Sequence, residues 1–201
     1  MTKNSVVGNI ILKKIAFWYK SVIILFVFGS FFHYKIGNTW CYNTSKENKK
    51  EKGERNMATV YDVAKYILNH AGGMTTMKLQ KLVYYSQAWS LAWDGKPLFD
   101  DDFEAWANGP VCPKLFHSHQ GEYTVSKTFY DRKGDVNALD EDSIETINAV
   151  IRDYGDKSPQ WLSELTHKER PWREAREGVS PGVRSNHIVS KEVMQEYYGG
   201  L

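Results

Sequence analysis

The chain has 201 residues, 26 Lys/Arg against 24 Asp/Glu, and a net charge of +2 at pH 7. That near-balance averages two unlike parts: residues 1–56 carry ten Lys/Arg against three Asp/Glu, a net of +7, and residues 57–201 carry sixteen against twenty-one, a net of −5. An acidic domain repels phosphate backbones, which argues against nucleic acid as the partner of residues 57–201.

The first 56 residues form a hydrophobic and basic leader rather than part of a domain. Its apolar run "SVIILFVFGSFF" follows Lys13, Lys14 and Lys20 and is twelve residues long, short of the roughly 18 to 20 that cross a bilayer as a helix. It is nearer a signal-peptide core, yet no small-x-small cleavage site follows, because Gly29 and Ser30 run into Phe31, Phe32 and His33. Alternatively these residues precede the true start: Lys52-Gly53-Glu54 can be encoded AAA GGA GAA, a purine-rich ribosome-binding pattern ahead of the Met57 codon. A start assigned too early is the favoured reading, and a signal or anchor is the second. Membrane contact is expected only if the leader is translated. The leader lacks helical periodicity and caps, which argues against its being a folded part of the domain.

From Met57, 145 residues remain, the size of one domain with one core. Cys112 is alone among them, so no disulfide forms within the domain and a reducing cytoplasm fits best. Val60, Val63, Ala64, Ile67, Leu68 and Ala71 share one helical face, with Thr59 and Asp62 as a capping box and Gly72-Gly73 as the stop. A second helix starts at Thr75 or Thr76 and runs through "MKLQKLVYYSQAWSLAW" to Asp94-Gly95. Its apolar residues cover more than a stripe, so it is expected to be central and touched on several sides.

"GKPLFDDDFEAWANGPVCPKLFHSHQG" reads as a loop, a short acidic segment and a helix begun through Pro110 or Pro113. "EYTVSKTFYDRKGDV" has the composition of a small hairpin or an extended loop. Asp140 or Asp142 then caps a helix bearing Ile144, Ile147, Val150, Ile151 and Tyr154, closed by Gly155. Ser158-Pro159 caps the next, with Trp161, Leu162 and Leu165, and Ser190 caps the last, with Val193, Met194 and Tyr197. The expected class is mainly α: a single compact helical domain with a minor β-hairpin.

Catalytic patterns are thin. No Gly-rich phosphate loop, H-E-x-x-H, C-x-x-C or G-x-S-x-G occurs. His117 and His119 are two apart, which sends them to different sides of a helix and disfavours a shared metal. Cys112 with His117 or His167 could be drawn as nucleophile and base, but one Cys among several His is expected by chance. The run Asp100 to Glu104 is read as a solvated face rather than a cation site. No catalytic residue, cofactor or metal is assigned.

Aromatic content stands out: Trp89, Trp93, Trp106, Trp161 and Trp172 lie within 84 residues. Some must be core, and the surplus fits a binding surface. Three motifs then point to a family: "KLQKL" with Tyr84; Glu104-Ala105-Trp106 leading to Gly109-Pro110-Val111; and Thr166-His167 leading to Pro171-Trp172 within "LSELTHKERPWREAR". In that order and at those distances they closely resemble the Panacea, or SocA-like, antitoxin domain, also described as GepA-like and phage-associated, over nearly all of residues 57–201. The resemblance implies a cytoplasmic bacterial or prophage protein that neutralises a cognate toxin, encoded by a neighbouring gene, through direct protein binding and without enzymatic activity. No helix-turn-helix or basic arm for repressing its own operon follows Met57.

The residues carrying the resemblance, and hence the candidates for partner binding, are Lys78, Gln80, Lys81, Tyr84, Trp106, Gly109, Pro110, Thr166, His167, Pro171 and Trp172. Each also has a structural reading. Lys78 and Lys81 are poised to pair with an acidic surface such as Asp100 to Asp102, or to meet the partner. Gly109-Pro110 sets a tight start to a helix that lets Trp106 fold back on the core, and Thr166-His167 with Pro171-Trp172 forms a bend between helices. Two other function classes stand beside the antitoxin: a phage or mobile-element accessory protein, such as an adaptor for the host protease machinery, and a hydrolase using Cys112 or a histidine.

Overall fold

The structure, a computed structural model, describes residues 57–201; the expectations for the leader lie outside them. The domain begins with helix α1, Val60–Ala71. The Thr59 N–H donates to Asp62 Oδ2 at 2.6 Å, and the Thr59 hydroxyl to the same oxygen at 2.9 Å, so the expected cap is present. Asp62 is buried, and its other oxygen accepts the Asp135 N–H at 2.6 Å, which ties the start of α1 to a distant loop.

A two-residue strand β1, Met74–Thr75, leads into α2, Thr76–Asp94, where the Thr75 hydroxyl accepts the Lys78 N–H at 3.3 Å. Thirteen consecutive residues, 79–91, are buried. Such a run places every side of the helix against protein. Helix α1 packs on it, as do α4 (Glu141–Tyr154), α5 (Pro159–Lys168) and α7 (Lys191–Gly199). The caps expected from sequence hold these helices: Asp140 accepts the Ser143 N–H, Ser158 that of Trp161, and Ser190 that of Val193.

Aromatic rings fill the centre. Tyr85 and Tyr154 stack at 4.4 Å, and the Trp89 indole donates to the Tyr154 hydroxyl at 3.3 Å. Glu169, the residue between α5 and the short α6 (Arg170–Ala175), is buried and accepts the hydroxyls of Tyr85 and Tyr198 at 3.0 and 2.7 Å. A buried carboxylate is tolerable only with such donors.

The segment from Phe103 to Val111 differs from its sequence reading. It is a β-hairpin, β2 (Phe103–Trp106) and β3 (Gly109–Val111), pairing Glu104 with Val111, Ala105 with Pro110 and Trp106 with Gly109. Helix α3 (Pro113–Ser118) begins only at Pro113, so Pro110 lies in an edge strand and Gly109 does not start a helix. Proline is admissible there because an edge strand need not donate on its outer side. The short β5, Ile188–Val189, pairs with the other edge of β2. The later segment expected as a hairpin or extended loop is an extended loop: β4 (Thr124–Val125) pairs with β1, and turns lead on to a 3-10 turn at Val136–Ala138. Among the described residues no helix is long and apolar enough to cross a membrane.

Asp62→Ala removes the cap of α1 and leaves the Asp135 N–H without its carboxylate. A stability loss of about 1–3 kcal/mol is expected, read as a lower thermal midpoint of the full chain, with Asp62→Asn retaining part of it.

Candidate functional site

The three sequence motifs meet at the hairpin. Its backbone carbonyls are taken in turn by side chains from the helices around it. Arg176, just after α6, donates to the Ala105 oxygen at 2.7 Å, and the Trp172 indole donates to the Trp106 oxygen at 3.0 Å. Ser163 reaches the Asn108 oxygen at 2.9 Å and Lys81 the Pro110 oxygen at 2.9 Å. Gln80 pairs with Cys112 through both ends of its amide, accepting the Cys112 N–H at 2.9 Å and donating to its carbonyl at 3.3 Å. A side-chain amide thus stands where a neighbouring strand would.

Gly109 makes the close approach feasible. Its φ is +98°, and a Cβ there would lie 2.6 Å from Thr166 Oγ1 and 2.8 Å from Lys81 Nζ. Only glycine combines that backbone with that contact. His167 stacks on Trp172 at 4.1 Å and its Nε2 has no hydrogen-bond partner. Burial, and then the neighbouring Lys81 charge, hold the imidazole below its usual value.

Of the eleven motif residues, Gln80, Lys81, Tyr84, Gly109, Pro110, Thr166 and Pro171 are buried, while Lys78, Trp106, His167 and Trp172 keep partial exposure. Tyr84 is wholly interior, edge-on to Tyr85 and Phe103. The two lysines do not share an acidic partner. Lys78 donates to the Gly155 carbonyl at 2.7 Å and Lys81 to Pro110. The acidic run is matched elsewhere, Asp101 with Lys114 and Asp102 with Lys191. The reason is helical geometry: residues three apart diverge enough for Lys81 to point inward under the hairpin while Lys78 reaches the end of α4. Burial without a carboxylate pushes the Lys81 amine down to about 7.

The thiol of Cys112 is buried and pushed up to about 11, chiefly by desolvation. A nucleophilic cysteine needs the opposite shift. His117 is exposed and His119 buried, the latter with Nε2 3.3 Å from the Gln80 amide nitrogen.

Beside the hairpin lies a cleft of about 790 Å³. The start of α2, the β2–β3 turn, α3 and the loop around residues 182–186 form its walls. Trp106 and Phe116, both lining it, meet edge to face at 4.8 Å, and the Arg184 guanidinium sits 5.9 Å from the Trp106 ring centre. Glu104 accepts the Trp106 indole N–H at 2.7 Å. Sequence reasoning did not single out Ser163 or Arg176, although both stand within the quoted stretch that ends at Arg176; a lone arginine after a helix gives no sign that it is buried. Arg184 carried no signal at all.

Gly109→Ala is expected to cost about 2–4 kcal/mol, from the left-handed backbone and the contact with Lys81 and Thr166, measured by denaturant unfolding. The pH dependence follows from Lys81. Its folded value lies near 7 against an ordinary 10.5, so between those limits the unfolded chain binds more protons and stability rises with pH, by up to about 1.4 kcal/mol per unit. Above pH 9 to 10 the sign reverses, because Cys112 (about 11) and Tyr130 (about 12) ionise first in the unfolded chain. A stability maximum near pH 9 is therefore expected in unfolding series, and Lys81→Met should flatten the rise from neutral pH.

Comparison with known proteins agrees with the motifs. The family model of the SocA-like antitoxin, Panacea domain, matches residues 79–173. The protein "Antitoxin SocA" of Caulobacter vibrioides (strain NA1000 / CB15N) is 29% identical over 126 residues, which cover 55% of this chain and 66% of that relative. No solved structure matches. From α2, through the hairpin, to Trp172 and Arg173, this chain is similar to the Panacea domain of the SocA-like antitoxins.

Proposed function

We propose that residues 57–201 act as the antitoxin of a bacterial or prophage toxin–antitoxin pair, working in the cytoplasm and neutralising a toxin encoded by the neighbouring gene through direct binding. The observation that carries this reading is the span of the Panacea family match, residues 79–173, which takes in α2, the hairpin and α5. The relative named as an antitoxin supports it. Binding rather than chemistry is favoured by the site itself. The thiol is buried with a raised pKa, and five of the eleven motif residues, Lys78, Gln80, Lys81, Thr166 and Trp172, donate to backbone carbonyls inside the domain. Such a framework holds a surface in place, and the partner is read by what the surface presents.

Inducing the adjacent gene alone is expected to arrest growth, and co-expression of this protein to restore it with recovery of a stable complex. An adjacent gene without toxicity, or toxicity unchanged by co-expression, would overturn the reading. Restored growth with loss of the neighbour's protein and no stable complex would indicate delivery to a protease instead.

A further inference from the structure

The ionisable groups around the cleft are unevenly matched. Lys81 and Arg184 both line it, and among the described residues neither is within ion-pair distance of a carboxylate. Glu104 is the one acidic residue lining it, and that carboxylate already accepts the Trp106 indole. The surrounding domain, residues 57–201, carries a net charge of −5. The exposed Arg184 guanidinium is thus a standing positive charge at the cleft's rim on an otherwise acidic body, and it draws in anionic groups that the rest of the surface turns away.

The cleft's edge is also where large apolar side chains reach solvent. Val183, 52% exposed, lies between the lining residues Gly182 and Arg184. Tyr123, 81% exposed, follows the lining residue Gln120 closely, and its carbonyl accepts the N–H of Thr76, another lining residue, at 3.0 Å. Inside stand Trp106 and Phe116. Exposed aromatic anchors around a partly apolar depression are the anatomy of a binding hot spot. The volume suits a few side chains of a peptide segment.

Resting on the antitoxin reading above, we infer that this cleft is where the toxin docks, and that the toxin presents to it an acidic segment carrying an apolar or aromatic anchor. Arg184 meets the acidic group at the rim, and Tyr123, Val183 and Trp106 receive the anchor. Trp161 lies on the outer face of α5, 40% exposed with Lys157 over its ring, and takes no part.

The test uses the full chain and the purified product of the adjacent gene, with affinity measured at low and high salt beside the growth assay. Arg184→Glu and Tyr123→Ala are each expected to weaken the complex on the order of tenfold. Arg184→Lys should stay near wild type, Trp161→Ala should change nothing, and wild-type affinity should fall as salt rises. All these positions are exposed, so folding is preserved, and circular dichroism checks it. Wild-type protection together with wild-type affinity of both Arg184→Glu and Tyr123→Ala would overturn the cleft while leaving the antitoxin role standing. Binding that ignores salt and tolerates Arg184→Glu, while Tyr123→Ala weakens it, would remove the acidic partner. Failure of the wild-type protein to protect would instead remove the antitoxin role itself, and the docking site with it.

Discussion

The constraint on which the rest of the structure depends is the satisfaction of one hairpin's backbone. Strands β2 and β3 are too short to form a self-sufficient sheet, and β5 contributes only two residues. An inward-facing carbonyl without a donor costs roughly as much as a lost hydrogen bond. The surrounding helices supply those donors from side chains: Gln80 and Lys81 from α2, Ser163 from α5, Trp172 from α6 and Arg176 just beyond it. The three motifs are distant in sequence because three separate elements must converge on one ribbon of backbone.

This arrangement explains which parts were legible in the sequence. Helices announced themselves through periodicity and caps, and Thr59-Asp62, Asp140, Ser158 and Ser190 cap where their chemistry says they should. The hairpin did not. "FEAW" and "GPV" are too short to show alternation, and a proline ahead of a helix suggested a helical first turn. What decided their conformation was tertiary: Gly109 pressed against Lys81 and Thr166. The same holds for the lysines. Their spacing on α2 was plain, but only the packed structure places one inside and one outside.

Of the candidate site, the residue identities were readable and their roles were not. Residue types suited to partner contact, such as a tyrosine, a lysine or a histidine near a tryptophan, are equally suited to holding a scaffold. Tyr84 and Lys81 are interior. The groups that face outward beside the cleft, Tyr123, Val183 and Arg184, belong to loops with no pattern to betray them. Loops commonly carry recognition while regular elements fix their position. The motif residues of this chain, most of them internal, therefore hold a frame beneath whatever the loops present.

The pairing of β5 with β2 also orders events in time. Phe103 meets Val189, and Glu104 meets Ile188, so the sheet joins segments separated by most of the domain. Such long-range closure is slow relative to helix formation, since the chain entropy of the intervening loop must be overcome first. During synthesis the helices α1 and α2 are available early. The sheet beside the cleft is complete only once Val189 has left the ribosome, and α7, which packs on the central helix, emerges later still. A newly made chain consequently acquires the finished form of this domain only after α7 has emerged rather than piecemeal, and a copy cut before Val189 lacks it.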